Sequence, residues 1–531
     1  MTRLLEEVRA WTRSSEMPGR PGGDRSLALA VIAAAVVLTA LKAVFAARTP
    51  LFPDEAFYWQ CSQRLGLAYS DHPSLTALMI RAGTALLGPT PLGVRLPFLL
   101  AGAAILPVLY GTARPLVGRR AALLAVGVAT AIPGVSLMGT LAIPDVPLLL
   151  WTAVVLLALQ RALQTDRLRW WLLGGIAGAL GLVSEYRFAP FGLAVAAVLV
   201  ATPWGRRAWS GPGPWLMAAL SLLGLLPTLL FNLELDFAPL RYQLLDRHGG
   251  DGPGLLKHVQ QQLVVMTPLL YVAAMATLGA LIVRGRRGDR DAATFGLLAL
   301  VPLGFWLALS PFSDDHHADA HWPLPGYLPL LPFLPGVLVA LAARGRTGLA
   351  VAAATPALGA AALVSVLLAA LLPATSTSLL RPFLGWTGLG EALSVRLAGW
   401  DGERPVVVLD NYVAASQAEF VLTGANPSLL TTSPWYVLDH KLNRNHGRSL
   451  QYRLWGRGER ALAELAGRPA LVVVEVDRTN ERERPAWIEH VGRFVQPLEP
   501  MGQLRAGPGQ RPRRFRFYQG RVAERSPPAG D

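Results

Sequence analysis

"SLALAVIAAAVVLTALKAVFAARTPLFPDEAFYWQ" (residues 26–60) runs through a long apolar stretch and then places two adjacent carboxylates, Asp54 and Glu55, among aromatic residues. The apolar part reaches the roughly 20 residues that a helix needs to cross a hydrocarbon core of about 30 Å. The stretch before it, to about Asp24, is polar. The run also lacks the short core and small-residue cleavage site of a signal peptide, so it reads as a retained first helix.

The rest of the chain repeats this composition. Of its 531 residues 52% are hydrophobic and 16% charged, and the mean hydropathy is +0.37; an ordinary soluble domain carries about a quarter charged residues. Candidate spans fall near 27–46, 95–113, 121–139, 146–163, 170–186, 188–203, 214–233, 259–283, 292–310, 322–342 and 348–372. The expected fold is therefore mostly α, a polytopic transmembrane bundle of about eleven helices. A polar tail (1–26) precedes the membrane domain (27–373), whose first outer loop, 47–94, is large.

The net charge of +14 has an explanation other than nucleic acid. Arginines cluster in the N-terminal tail and at 114–120, 161–169, 206–207, 284–290 and 344–346, in alternate loops, as the enrichment of cytoplasmic loops in Lys and Arg requires. That alternation places the other loops, and with an odd span count the C-terminal region, outside the cytoplasm. A single cysteine, Cys61, excludes an intrachain disulfide and a multi-cysteine metal site. "PSLTALMIRAGTALLG" (73–88) is short for a span and reads as an interfacial helix.

After residue 373 the pattern changes. "VVVLDN" (406–411) and "LVVVEV" (471–476) read as buried strands and "RALAELAG" (460–467) as helix, so residues 374–531 are expected to form an extracytoplasmic α/β domain with a disordered end, "ERSPPAGD".

The outward loops carry the unusual polar residues, each with a plain structural alternative. Asp54 and Glu55 follow Pro53 and can simply open a helix; Asp145 in "IPDVPLLL" can do the same. Yet ionisable groups at a membrane boundary are costly unless they serve a polar cavity. Asp71 and His72 in "YSDHPSL" suit a divalent cation or a polar turn. Arg187 in "SEYRFAP" has Glu185 beside it and suits either a local ion pair or a phosphate. Arg241, Arg247, His248 and Lys257 break the positive-inside pattern and suggest an anionic ligand. In "SDDHHADAHW" (313–322), which ends on His321 and Trp322, a solvated loop competes with a ligand site. Phosphate-loop, dinucleotide and HExxH patterns are not found.

Five segments in order, "PDEAFYW" (53–59), "YSDHPSL" (69–75), "GVRLPFLLAG" (93–102), "IPDVPLLLWTA" (143–153) and "HWPLPGYLPL" (321–330), resemble the GT-C glycosyltransferases. The resemblance is to the protein O-mannosyltransferase, aminoarabinose transferase and lipid A galacturonosyltransferase branch. It implies transfer of a sugar from a polyprenyl-phosphate carrier to a lipid, glycan or protein acceptor outside the cytoplasm, usually with inversion. It also implies that Asp54 is the catalytic base and Asp145 the second acidic residue, with Glu55 in or beside the cavity. Arg187, Arg241, Lys257 and His321 are then expected at the donor phosphate, and Asp71 with His72 at a divalent metal if one is used. Relatives carry a Lys near the position of Glu185, and the second proline of their "HPP" is Ser74 here. A transporter or flippase would call for charges in mid-span, which are scarce, and an oligosaccharide ligase for a more basic outer loop.

Overall fold

The computed structural model describes residues 23–244, 254–312, 320–371, 380–440, 443–444, 447–477, 482–508 and 512–524. Arg247, His248, residues 313–319, the polar tail to residue 22 and the last seven residues, all singled out above, lie outside these.

Each of the eleven expected spans falls on helix, but breaks leave some of these helices short. Among the described residues seven helices are long and apolar enough to cross a membrane: Asp24–Arg48, Pro91–Thr130, Asp145–Thr165, Gly213–Leu233, Pro268–Arg286, Arg290–Leu309 and Arg346–Leu368. The bent pair Leu324–Leu330 and Leu334–Ala342, turned by 60°, makes an eighth. The spans expected at 95–113 and 121–139 both fall in Pro91–Thr130, where the non-helical backbone of Gly118, whose φ of 78° suits glycine, separates two helices. Those expected at 170–186 and 188–203 are the shorter helices Leu168–Ser184 and Tyr186–Ala201, separated by extended backbone at Glu185. Residues 75–87 form a helix too short to span.

The helix Pro53–Gln63 starts where the sequence says it should. Pro53 presets the first turn, Asp54 and Glu55 face the positive end of the macrodipole, and Glu55 Oε2 accepts a 2.7 Å hydrogen bond from the backbone N–H of Phe52. Glu55 also forms a fully buried, two-pronged ion pair with Arg95: Nε to Oε1 at 2.8 Å and Nη2 to Oε2 at 2.6 Å. The remaining donors of Arg95 reach the carbonyls of Ala46, Thr49 and Pro50. One arginine thus ties the end of the first membrane helix to the start of the next element.

The C-terminal part carries a five-stranded mixed sheet of order β2-β1-β3-β5-β4, built from β1 (Val406–Leu409), β2 (Trp435–Val437), β3 (Pro469–Glu475), β4 (Val495–Ala506) and β5 (Arg513–Val522). β1 pairs in parallel with β2 and β3, β5 antiparallel with β3 and β4. The expected strands are β1 and β3, buried along nearly their whole length. The expected helix at 460–467 is the shorter Glu459–Ala463.

The sheet part shares a core with the membrane part. Phe57, Trp59, Tyr69, Phe98 and Val146 pack in one cluster with Trp386, Leu409, Tyr412, Phe420 and Phe515. Polar contacts reinforce it: Gln60 donates to Glu419 at 2.6 Å, Gln417 to the Leu51 carbonyl at 2.7 Å, and Tyr452 to Gln60 at 2.7 Å. The boundary placed at 373/374 falls within residues 372–379, outside the described ones.

Candidate active site

Five separate segments and one residue of the sheet part enclose a cavity of about 320 Å³. Asp54 comes from the first turn of Pro53–Gln63, and Asp71 from the turn closed by the Tyr69 N–H to His72 carbonyl bond. Asp145 opens the helix Asp145–Thr165. Glu185 and Arg187 lie at the break between two helices, and His321 with Trp322 directly before Leu324–Tyr327. Arg448, the first residue of Arg448–Leu454, completes the lining after Gly447, whose φ of 68° turns the chain inward.

On one wall Arg187 grips Asp145 with both prongs, Nη1 to Oδ1 at 2.9 Å and Nη2 to Oδ2 at 3.2 Å, the fork geometry that makes arginine–carboxylate pairs directional. His321 Nε2 lies 3.3 Å from Asp145 Oδ2, Glu185 Oε2 lies 3.4 Å from Arg187, and the Trp322 ring stacks 5.1 Å from the guanidinium. The local ion pair of Glu185 with Arg187 and the cavity placement of Arg187 thus occur together.

On the other wall Arg448, 3% exposed, bridges two carboxylates: Nη1 to Asp54 Oδ1 at 2.8 Å and Nε to Asp71 Oδ2 at 3.2 Å. Its guanidinium lies over the rings of Tyr412 at 4.1 Å and Phe57 at 4.4 Å. The Tyr412 hydroxyl donates to Asp54 Oδ1 at 3.2 Å. His72 Nδ1 lies 2.8 Å from Asp71 Oδ1, and the imidazole is buried between Tyr58 and Tyr69. Burial pushes the Asp71 carboxyl up, but His72 and Arg448 outweigh it and hold the group well below the usual carboxylate range. Burial would lower Arg448, yet Tyr412, Asp54 and Asp71 raise it above its ordinary value, so it is a permanent cation. Burial, then the charges of Asp54 and Asp71, keep the Tyr58 phenol protonated.

The structure brings together Asp54, Asp71, Asp145, Arg187 and His321, with His72 directly behind. It separates the other candidates from them. Glu55, one residue from Asp54, does not line the cavity: Arg95, the Phe52 N–H and the Ala142 N–H at 2.7 Å engage both its oxygens. Arg241 and Lys257, on Ala238–Leu244 and Gly254–Met266, are also absent from the lining. Asp71 engages both His72 and Arg448, and among the described residues no group of three or more His, Cys, Asp and Glu side chains is arranged to hold a metal ion. Arg448 and Tyr412 were not singled out by sequence. Nothing local distinguishes Arg448 among 49 Lys and Arg, although Asn411 before Tyr412 is a readable helix cap.

Residues 71–231 match the family model of dolichyl-phosphate-mannose-protein mannosyltransferases. The chain is 29% identical over 289 residues to the lipid A galacturonosyltransferase RgtD of Rhizobium johnstonii, a match that covers 53% of this chain and 59% of that protein, less than two thirds of its length. The fold is that of ArnT from Cupriavidus metallidurans. Its structure bound to undecaprenyl phosphate superimposes with a TM-score of 0.60 at 16% identity, covering 92% of this chain and 97% of that one; the apo structure gives 0.61.

Proposed function

We propose, from its place as a GT-C-type chain related to the protein mannosyltransferases, ArnT and the lipid A galacturonosyltransferases, that this multi-pass membrane protein is a glycosyltransferase. It moves a sugar from a polyprenyl-phosphate donor to an extracytoplasmic acceptor, with inversion. The observation that carries this reading is the pairing, across one cavity at the end of a membrane bundle, of Asp54 on one wall with the Arg187–Asp145–His321 cluster on the other.

In an inverting displacement the acceptor hydroxyl loses its proton to a base while its oxygen attacks the anomeric carbon. The bond from that carbon to the carrier phosphate breaks on the opposite face, and its electrons leave with the phosphate. Asp54 suits the base: it is an acceptor-only carboxylate at the cavity, steadied by Arg448 and Tyr412. The leaving phosphate is already ionised, so it needs cations rather than a general acid. Arg187 supplies the positive charge for it at the cavity wall, with Asp145 and Glu185 fixing the guanidinium and Trp322 supporting its face. Asp145 therefore serves as a positioning residue, and His321 beside it adds a second donor. No step is routed through a metal.

The donor's lipid tail dissolves in the bilayer, so its reacting carbon must sit at the membrane boundary, where the cavity lies. The alternating arginines support an extracytoplasmic orientation of that end. Comparing envelope lipids, glycans and proteins by mass spectrometry, in a strain with and without the gene, tests the proposal: loss of one sugar mass from one acceptor class supports it. Unchanged profiles in all three classes would contradict it.

A further inference from the structure

The β4–β5 hairpin reaches back toward the membrane end of the bundle and carries a cluster of arginines there. Leu380 and Phe383 pack with Phe45, Leu363 and Leu367, near the ends of the first and last membrane helices, and Phe383 lies 5.5 Å from Phe52. Residues 380–383 are thus at the membrane boundary, at the same end as the cavity. The hairpin meets the chain just after them: an added Cβ on Gly385 would come within 2.9 Å of the Ala506 carbonyl, and one on Gly507 within 3.3 Å of the Gly385 nitrogen. The strands therefore run toward the bilayer, with the end of β4 and the start of β5 lowest.

Three exposed arginines surround that low edge. Arg381 Nη2 lies 3.7 Å and Arg514 Nη2 2.9 Å from the Asp477 carboxylate, and both arginine side chains are 47% exposed. Arg505, exposed, stands directly opposite Arg514 in the β4–β5 ladder, so their side chains share a face. Arg516 lies on that face two residues further along, opposite Gln503. Like charges directly opposite each other in a ladder destabilise it unless an anion lies between them. Among the described residues the acidic side chain paired with both Arg381 and Arg514 is Asp477. If this end is extracytoplasmic, these arginines also run against the positive-inside pattern.

The geometry points to a lipid-binding foot: Arg381, Arg505 and Arg514 take the phosphate groups of anionic lipid headgroups in the leaflet below and seat the sheet on the membrane surface beside the cavity. The charge complementarity is that of guanidinium with phosphodiester. The position, next to residues buried at the hydrocarbon boundary, selects a membrane lipid over a soluble anion.

The full chain in nanodiscs tests it. Cys61 is the chain's one cysteine and is buried, so Gln503→Cys offers a single exposed label site on the arginine face. A fluorophore there should be quenched more strongly by headgroup-spin-labelled phosphatidylglycerol than by phosphatidylcholine carrying the same label at the same mole fraction. The preference should shrink about fivefold for each arginine removed in Arg381→Gln, Arg505→Gln and Arg514→Gln, and should fall at high salt. Equal quenching by both lipids, no quenching by either, or a preference that survives the triple substitution would overturn the proposal. So would its abolition by millimolar glycerol phosphate, which would mark a site for a free anion.

Discussion

Replacing Glu55 by Gln removes the negative partner of an arginine that is fully buried, as Glu55 itself is. Glu55 Oε1 accepts from Arg95 Nε and the Ala142 N–H, and Oε2 from Arg95 Nη2 and the Phe52 N–H. A glutamine must turn an NH2 group toward one of these pairs of donors, so two accepted bonds become donor-to-donor contacts while the guanidinium loses its counter-charge. Breaking a buried pair from one side costs about 3–5 kcal/mol, which is on the order of a hundred- to several-thousandfold in the folded-to-unfolded ratio. The assay is reversible unfolding by SDS in mixed micelles, read alongside transfer activity per folded molecule. Glu55→Gln should unfold far earlier, and its folded fraction should keep most of its activity. Removing both charges, as Glu55→Leu with Arg95→Met, should cost less than Glu55→Leu alone, because no charge is then stranded. A Glu55→Gln protein as stable as the parent but without activity would refute the reasoning and place Glu55 in the chemistry.

Arg448→Gln should leave Asp54 and Asp71 facing each other without their cation; a loss of about 3–5 kcal/mol of stability is expected for cutting such a buried pair, and, separately, a fall in kcat of about tenfold or more in the folded protein as Asp54 loses its positioning partner, with Arg448→Lys recovering only part of each. If activity is unchanged, the sheet part does not complete the site. Asp71 is held below its ordinary value near 3.9, so its stabilising effect is complete above that pH and is lost only as pH falls toward the folded-state value. The stability gap between the parent and Asp71→Asn should therefore stay flat from pH 8 to 5 and narrow below about pH 4; a gap that closes near pH 6 would contradict the assignment. A reporter fused after residue 380 should be active only outside the cytoplasm, and a cytoplasmic signal would reverse the functional face.

Much of the candidate site was legible because its three aspartates sit in punctuated segments. Pro53, Pro73 and Pro144 flank the three aspartates, and an ionisable residue at a membrane boundary demands an explanation. The breaks at Gly118 and at the extended Glu185 were legible as gaps between apolar runs, whereas hydropathy, which registers apolar length alone, ran through the break at Thr267 and the 60° bend between Leu330 and Leu334. Adjacency in sequence also misled: Asp54 and Glu55 are neighbours, yet successive helical positions point about 100° apart, sending one to the cavity and the other to Arg95. Arg448 is nearly four hundred residues from Asp54 in a polar stretch, "DHKLNRNHGR". Only the docking of Tyr412–Ala425 against Pro53–Gln63 and the turn before it, through Glu419 to Gln60, Tyr412 to Asp54 and Gln417 to the Leu51 carbonyl, brings it in. That is a long-range fact with no local signature.

The most direct measurement is single-turnover transfer by Asp54→Asn in reconstituted membranes, with donor binding measured on the same preparation. The substitution is nearly isosteric, and Asn keeps an oxygen to accept from Arg448 and Tyr412 but is no base. The account predicts a folded protein that binds the polyprenyl-phosphate sugar nearly as the parent does and transfers it at least a hundredfold more slowly, within the range of about 10²–10⁴ that a positioned base supplies. Transfer at the parental rate would contradict it.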